Sequence, residues 1–455
     1  MNSRDNHKEV LVLGGGMTGL AAGSVCHWPV FEAEATAGGI CSSYYVRPNG
    51  THRLGVAPED GEAYRFEIGG GHWIFGGDPV LTRFLRSLTP VKCYPRLSSV
   101  FLPERNLYVP YPLQNHLSYL PQEIRVKALT EMLTGPKGNP KTMADSLRQS
   151  FGTTLTELFF GPFHHLYTAG LWTRIAPQDG YKTPVDAALA IRGAYEPTSA
   201  VGYNATFLYP EQGLNTLALQ LATRCDIRYD KRVVRIDTRE KEVAFADGSA
   251  ISYGSLISTL PLNKMLALAD WKLEEETDPY TSVLVLNLGA TRGSKCPPDH
   301  WIYLPNTRAG FHRVGFYDNV DASFLPRSSQ GSNERVSIYV ERAYLGGQKP
   351  SETEIRAYTE AVVSELQEWG FIDQVEVVDP TWIDVAYTWS WPGSQWRAKA
   401  LRQLEENDIL MMGRYARWSF QGIADSIRDG LYVGAASREN DLHRNIETQR
   451  LSVSA

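Results

Sequence analysis

The sequence has few cysteines and no long apolar stretch, and both absences limit what the protein can be. Its five cysteines among 455 residues are scattered and show no C-x-x-C spacing. We therefore expect reduced thiols, with no disulfide framework and no metal site. No apolar run reaches the roughly 18 to 20 residues that cross a bilayer. The polar start, MNSRDNHKEV, also lacks the apolar segment of a secretory signal. These features predict a cytoplasmic protein without a membrane span.

Strong charge of either sign is also missing. The net charge is −6 and no basic run occurs, which argues against a nucleic-acid partner. Aromatic residues, in contrast, make up 11% of the chain and include 11 Trp and 23 Tyr. Such richness suits a large pocket for a flat or sugar-bearing ligand. The length predicts two or three domain-sized units.

A glycine-rich segment near the start carries the first functional signal. The run EVLVLGGG predicts a buried parallel strand, which a helix of small residues and a second strand ending near Glu32 follow. Gly14, Gly16 and Gly19 form G-x-G-x-x-G at the first turn. Glycine lets the backbone approach a pyrophosphate, and the helix N-terminus offers N–H groups to it. Because Glu32 is placed to accept a hydrogen bond from a ribose, the segment predicts a dinucleotide site.

Segments far along the chain are needed to complete the same sheet. Residues 226–260 predict short alternating strands that end in a buried strand. The run DILMMGRY predicts a last buried strand with a helix after it. The middle of the chain is therefore expected to form an inserted region, partly sheet and partly helical. Residues 351–369 predict an amphipathic helix, and the last fifteen residues predict frayed chain.

Three of these segments together resemble a known group of proteins. The glycine turn with AGGICSSYY, the strands around Val233 ending at LISTLP, and the run DILMMGRYARWSFQGIADSIRDG resemble the FAD-binding segments of the glutathione-reductase-like flavoproteins. The resemblance is to the branch that holds amine oxidases, protoporphyrinogen oxidases and UDP-galactopyranose mutases. It implies non-covalent FAD, held by Gly14, Gly16, Gly19, Glu32, Gly38, Gly39, Ser42, Gly71, Arg96, Ser98, Val233, Gly413, Arg414 and Asp425.

The same resemblance implies the domain organisation. It predicts an α/β fold, with a glutathione-reductase-like FAD-binding Rossmann domain and an inserted mixed sheet and helical substrate region. The FAD-binding parts would be 1–90, 216–270 and 401–440. A helical substrate region would occupy 91–215, a substrate-binding sheet 271–400 and a tail 441–455.

Within that branch, the middle of the chain is most similar to the eukaryotic-type UDP-galactopyranose mutases. The similarity lies in the segments GGGHWIF, PRLSSVF, VPYPLQNHLSYLPQE, YNATFLYPEQGLNTLA, HWIYLPNTRAGFHRVGFYDN and GRYARWSFQGIADS. It implies His72, Tyr303 and Arg313 as catalytic residues. The substrate-binding residues that it implies are Tyr111, Gln114, His164, Asn204, Trp301, Tyr303, Arg313, Trp391 and Phe420.

The sequence also departs from that family's pattern. Leu113 stands where the family has Phe, and His164 where it often has Asn. Trp391 and Phe420 stand at positions of tyrosines that bind the pyrophosphate. The family's second phosphate-binding arginine has two candidate positions here, Lys182 and Arg192.

Two enzymatic functions follow from the resemblance. In the first, reduced flavin attacks the anomeric carbon of a nucleoside-diphosphate hexose and the sugar recloses as a furanose, with Arg313 and Tyr303 holding the diphosphate and NADPH as the reductant. In the second, oxidised FAD takes a hydride from an amine or a reduced tetrapyrrole. The glycine motifs serve both functions, whereas Gln114, Asn204, Tyr303 and Arg313 favour the first. A flavin-binding sensor without activity has little support.

Overall fold

A computed structural model of the chain describes residues 10–76, 78–136, 138–178, 185–197 and 205–453, with side chains through residue 439. The strands are β1 (Val10–Leu13), β2 (Val30–Phe31), β3 (Ser43–Val46), β4 (Tyr64–Glu67), β5 (Ile74–Phe75), β6 (Val91–Pro95), β7 (Ser98–Leu102), β8 (Leu107–Pro110), β9 (Thr206–Pro210), β10 (Ile227–Arg228), β11 (Val233–Asp237), β12 (Glu242–Phe245), β13 (Ala250–Ser252), β14 (Ser255–Ser258), β15 (Tyr280–Arg292), β16 (Trp301–Tyr303), β17 (Arg313–Phe316), β18 (Arg335–Leu345), β19 (Ile372–Thr388) and β20 (Ile409–Met411). The helices are α1 (Met17–Cys26), α2 (Pro79–Leu88), α3 (Gln122–Thr134), α4 (Met143–Leu155), α5 (Gly161–Tyr167), α6 (Ala187–Tyr195), α7 (Leu214–Ala222), α8 (Leu262–Leu268), α9 (Tyr317–Val320), α10 (Glu352–Glu368), α11 (Trp396–Glu405) and α12 (Ile423–Val453).

A parallel sheet gathers strands from both ends of the chain. Its order is β10-β2-β1-β14-β20, and Val12 of β1 lies between Val30 of β2 and Ile257 of β14. These short strands are apolar because both faces of the sheet are covered. The strand order reverses direction between β1 and β14, and in open α/β sheets this switch point forms the ligand crevice. The predicted α/β class, with a parallel and a mixed sheet, is confirmed.

Two helices cross over this sheet at backbone contact. A Cβ added at Gly430 of α12 would lie 2.3 Å from the carbonyl oxygen of Thr18 in α1, and one at Gly434 would lie 2.5 Å from that of Ala22. The crossing therefore has no room for a side chain. Helix α12 continues to Val453, so the expectation of a frayed tail is wrong. The run RENDLHRNIETQRL is rich in residues that favour a helix.

A second, mixed sheet forms the other large layer. Its order is β19-β15-β18-β17-β16-β7-β8, in which β16 and β7 pair in parallel. The sheet buries both faces, as the alternation along β15 shows. Leu284 and Leu286 pack in the cluster that includes Val362 of α10, while Val283 and Val285 pack in the cluster that reaches α1.

A helical region closes the edge of the mixed sheet. Helices α3 to α6 and a π-helical turn at Thr156–Phe160 share one apolar cluster with Val100 of β7 and Trp389, just beyond β19. Small sheets complete the fold: the β3–β4 hairpin, β5-β9-β6, and the meander β11-β12-β13.

The close crossing of α1 and α12 leads to a stability prediction. Ala in place of Gly inside a helix normally stabilises by about 1 kcal/mol, but a Cβ at Gly430 would lie inside contact distance of Thr18. We expect Gly430→Ala to lower the free energy of unfolding by roughly 1 to 3 kcal/mol, as overpacking does. Urea titration measures the change. Gly55→Ala is the control, because no atom lies within 4 Å of a Cβ there. A stabilised Gly430→Ala variant would contradict the prediction.

Candidate flavin and substrate site

The turn after β1 contains the three glycines of the motif, and their surroundings differ. Gly14 has φ +97°, and a Cβ there would lie 2.3 Å from Oγ1 of Thr259. A Cβ at Gly19 would lie 1.9 Å from the carbonyl oxygen of Gly14. Gly16, in contrast, has an ordinary φ of −74° at the N-cap of α1, and no atom lies within 4 Å of its Cβ position. Packing within the protein therefore requires glycine at positions 14 and 19. At position 16 the absence of a side chain leaves an open space at the N-terminus of α1, which we call the cradle.

A buried carboxylate stands beside this cradle. Glu32 Oε2 accepts a hydrogen bond from the Gly15 N–H at 2.7 Å, and Oε1 accepts one from the Glu34 N–H at 2.9 Å. Burial raises the pKa of Glu32, and these two N–H groups oppose the rise. The second glycine pair joins the turn, since the Gly38 N–H donates to the Gly15 carbonyl at 2.8 Å. An open cradle, helix N–H groups and a carboxylate fit the pyrophosphate and ribose of a dinucleotide.

The G-G-G-H turn follows β4 and lies between the two sheets. A Cβ at Gly71 would lie 2.0 Å from the hydroxyl of Tyr339, so the turn rests directly on the mixed sheet. Burial, with smaller effects of Arg414 and Arg313, lowers the pKa of His72 to about 4. His72 Nδ1 has no hydrogen-bond partner among the described residues. His72 is therefore a neutral hydrogen-bonding group at neutral pH, not a cation.

A cavity of about 460 Å³ opens next to this turn, between the mixed sheet and the helical region. Its wall contains residues from α4, α5, β16, β17 and β19. The site residues predicted from the sequence that line it are Gly71, Arg96, Tyr111, His164, Trp301, Tyr303, Arg313 and Phe420.

Arg313, one of two arginines in this wall, is paired inside the protein. Arg313 of β17 lies opposite Glu341 of β18, and its Nη2 donates to both carboxylate oxygens at 2.5 and 2.6 Å. Burial opposes the charge of Arg313, but the carboxylate of Glu341 holds its pKa well above the usual range. Glu341 is not among the residues predicted from the sequence, although a glutamate within the apolar strand VSIYVERAY indicates a buried, paired carboxylate.

Aromatic rings form most of the remaining wall. Tyr303 lies 4.7 Å from the ring of Tyr111 and 5.5 Å from that of Phe163, measured between centroids. Arg96, predicted as a flavin residue, is 4% exposed. Its Nη2 donates to the carbonyl of Tyr111 at 3.0 Å. Trp301 is also buried, and its Nε1 has no hydrogen-bond partner among the described residues.

Trp391, predicted from the sequence as a substrate-binding residue, lies away from the cavity. Trp391 does not line the cavity, because its indole N–H donates to the carbonyl of Thr277 at 3.1 Å. Tyr387 and Trp389 line it instead. Burial raises the pKa of Tyr387 to about 12, so its hydroxyl remains a donor at neutral pH. Tyr387 is likewise not among the residues predicted from the sequence.

Other predicted residues lie away from the cavity. Gln114 is fully buried in the turn Leu113–Asn115, and Val233 belongs to the separate meander. Asp425 pairs with Arg428 in the first turn of α12. Arg192 is exposed and pairs with Glu196 on the surface of α6, so it does not reach the cavity wall. Asn204 and Lys182 lie outside the described residues.

The remaining predicted flavin residues lie around the ends of β3, β7 and β20. Ser42 and Ser98 are buried. Gly413 has φ +91°, and a Cβ there would lie 2.7 Å from Oγ1 of Thr18. Arg414 follows it, with its guanidinium 4.6 Å from the ring of Phe420.

Metal ligands and membrane helices are not found in the part of the chain that the structure describes. No group of three or more His, Cys, Asp or Glu side chains there could hold a metal ion. None of the helices described combines the length and the apolar character needed to cross a membrane.

The parallel sheet and its glycine turn define a dinucleotide-binding protein. The chain belongs to the flavin-containing amine oxidoreductase family, whose model matches residues 20–436. It is therefore an FAD-dependent enzyme of the amine oxidase superfamily.

Solved structures share this fold across almost the whole chain. Reduced UDP-galactopyranose mutase matches with a TM-score of 0.79 at 20% identity, covering 94% of each chain. A provisionally assigned protoporphyrinogen oxidase from an Exiguobacterium species matches with a TM-score of 0.68 at 14% identity, covering 95% of this chain and 99% of the other. A fatty acid isomerase from P. acnes matches with a TM-score of 0.54 at 13% identity, again covering 95% and 99%. At these identities the likeness shows the fold alone.

The different surroundings of Gly14 and Gly16 predict different mutant behaviour. Gly16→Val should fold normally, because its Cβ position is open and its backbone ordinary, yet it should lose FAD from the filled cradle. Gly14→Ala should destabilise the protein as well, since its φ and Thr259 both oppose a side chain. Flavin absorbance and the thermal midpoint of the apoprotein separate the two. Full FAD occupancy in Gly16→Val would contradict the assignment of the cradle.

The low pKa of His72 predicts a loss of stability in acid. The unfolded chain binds a proton on this histidine near its ordinary pKa of 6.5, but the folded chain does so only near 4. Stability therefore falls as the pH drops through this window, by at most about 1.4 kcal/mol per pH unit. Denaturant titrations at several pH values should show a shallower fall for His72→Gln. The same fall in wild type and His72→Gln would refute the prediction. His165→Gln, on an exposed residue, is the control.

Proposed function

We propose that this protein is a flavin-dependent mutase that interconverts the pyranose and furanose forms of a nucleoside-diphosphate sugar. The observation that carries the proposal is the convergence of Arg313, Tyr303 and Tyr387 on one cavity beside the G-G-G-H turn. A guanidinium flanked by phenolic donors suits a diphosphate. The likeness in fold to reduced UDP-galactopyranose mutase supports the same activity.

Arg313 would hold the diphosphate together with the two tyrosines. Its Nη2 is engaged by Glu341, while its Nε has no hydrogen-bond partner among the described residues. Because the ion pair carries no net charge, the hydroxyls of Tyr303 and Tyr387 would supply much of the binding. The same donors would stabilise the negative charge that develops on the leaving diphosphate.

The remaining roles follow from position. The cradle at Gly16 and the carboxylate of Glu32 would hold the FAD pyrophosphate and ribose. Bound reduced flavin supplies the nucleophile for the anomeric carbon, and NADPH is the proposed reductant. The neutral imidazole of His72 would offer a hydrogen bond at the G-G-G-H turn. The rings of Trp301 and Phe163 would exclude water and hold the sugar in place.

An oxidase is the second candidate, and one observation favours it. The wall contributed by α4 and the π-helical turn is mostly apolar: beside Ser146 and Ser150 it contains Met143, Leu147, Phe151, Phe159 and Phe160. Such a wall suits an apolar amine or a reduced tetrapyrrole that gives a hydride to oxidised FAD. The neutralised charge of Arg313 also permits an uncharged substrate.

One experiment separates the two functions. Protein reduced with NADPH or dithionite is incubated with a panel of UDP, dTDP and GDP sugars, and chromatography detects pyranose–furanose exchange. Oxidised protein is incubated in parallel with amines and protoporphyrinogen while oxygen consumption is followed. Exchange with reduced protein alone supports the mutase. Oxygen consumption without exchange would replace it with the oxidase.

Because Arg313 is paired with Glu341, its role in ligand binding is tested with a double variant. Arg313→Ala alone would leave a buried carboxylate unpaired, at a cost of about 3 to 5 kcal/mol in stability. The double variant Arg313→Met/Glu341→Gln removes both charges at similar volume. We expect it to fold and to bind FAD, but to lose roughly 1.5 to 3 kcal/mol of nucleotide-sugar binding, the cost of losing hydrogen bonds from a charged donor. Calorimetric titration measures the affinity.

A lysine variant completes this test. Arg313→Lys keeps the charge and the partner Glu341 but loses the planar fork. A partial loss of affinity is expected if the arginine meets the diphosphate directly. Wild-type affinity in the double variant would show that Arg313 is structural, and would favour the oxidase.

A further inference from the structure

A second buried histidine in the cavity wall has no assigned role. His312 comes directly before β17 and lines the cavity, although it is only 1% exposed. Neither of its ring nitrogens has a hydrogen-bond partner among the described residues. Its ring contacts are apolar faces, with Tyr167 at 5.4 Å and Phe163 at 6.0 Å between centroids. The imidazole is therefore fixed in place while its polar atoms remain unused.

The surroundings of His312 also keep its imidazole uncharged. Nε2 lies 3.7 Å from Oε2 of Glu341, which is too far for a hydrogen bond, and both oxygens of that carboxylate already accept from Arg313. Burial, together with the neighbouring Arg313 and His164, lowers the pKa of His312 well below its usual value. A neutral imidazole carries one N–H donor and one acceptor nitrogen. Native proteins rarely leave such buried groups unpaired.

We propose that His312 determines sugar specificity by hydrogen bonding to a hydroxyl of the hexose, an inference that rests on the proposed function. A hydroxyl both donates and accepts, so it matches a neutral imidazole in either tautomer. A phosphate oxygen only accepts, and the neighbouring Arg313 is the better partner for it. His312 thus binds the uncharged sugar, and the adjacent Arg313 binds the anionic diphosphate.

The test compares UDP with UDP-galactose by calorimetric titration of the FAD-loaded protein. UDP contains the base and diphosphate but no hexose, so only the second ligand reports the proposed contact. We expect His312→Phe to weaken UDP-galactose binding by about tenfold or more, since an unpaired polar group costs that much. UDP affinity should change by less than about twofold by the same reasoning.

Two further variants test whether the loss of affinity in His312→Phe comes from a change in structure instead of the lost hydrogen bond. His312→Asn keeps a donor and an acceptor, so it should recover part of the lost UDP-galactose affinity. His165→Phe makes the same change on the exposed outer side of α5, where the side chain lines a separate groove, and should affect neither ligand. Flavin absorbance and the thermal midpoint check the fold. If His312→Phe does not fold, the ratio of UDP-galactose affinity to UDP affinity in His312→Asn tests the proposal instead.

The possible results distinguish the proposed role of His312 from the proposed mutase function. Equal losses for UDP and UDP-galactose, or no loss for either, would overturn the hydroxyl contact while leaving the mutase intact. Failure of the wild-type protein to bind UDP, UDP-galactose or any of the UDP, dTDP and GDP sugars in the panel would overturn the proposed function itself, and the role of His312 with it. A selective loss of UDP-galactose affinity, partly restored by Asn, supports the assignment.

Discussion

The structure depends on how closely helix α1 approaches its neighbours. A Cβ at Gly19 would meet the Gly14 carbonyl at 1.9 Å, and one at Gly430 would meet the Thr18 carbonyl at 2.3 Å. Because backbone lies directly on backbone, the N-terminus of α1 is fixed against the ends of β1 and β14. The open position at Gly16 thereby falls at the switch point of the sheet. The same glycine spacing builds the fold and leaves room for the cofactor.

Several polar groups in the cavity wall and next to it are neutral or paired. Glu341 balances Arg313, and burial keeps His72 and His312 neutral. Tyr387 is protonated at neutral pH, as any tyrosine is, and burial raises its pKa further. Ligand selection in such a site depends on the positions of donors and acceptors more than on attraction between charges. This is why a neutral histidine beside a paired arginine can discriminate between parts of one ligand.

The sequence predicted the parts of the fold that are local. The glycine turn, the apolar strands and the helix at Glu352–Glu368 follow from short patterns. The site depends on pairings between distant strands, which such patterns do not contain. Glu341 meets Arg313 only because β17 and β18 pair in one register. Likewise, β19 carries irregularities in its pairing with β15, so spacing alone did not show that Tyr387, rather than Trp391, reaches the cavity.

The wide separation of the strands in the parallel sheet also sets an order for making the protein. Strand β1 ends at Leu13, but β20, which pairs with β14, begins only at Ile409. At roughly 5 to 20 residues per second, a ribosome takes on the order of 20 to 80 seconds to cover that interval. Helix α12, which packs on α1, emerges later still. The parallel sheet thus joins strands that are translated far apart in time, and it is complete only after β20 has been translated.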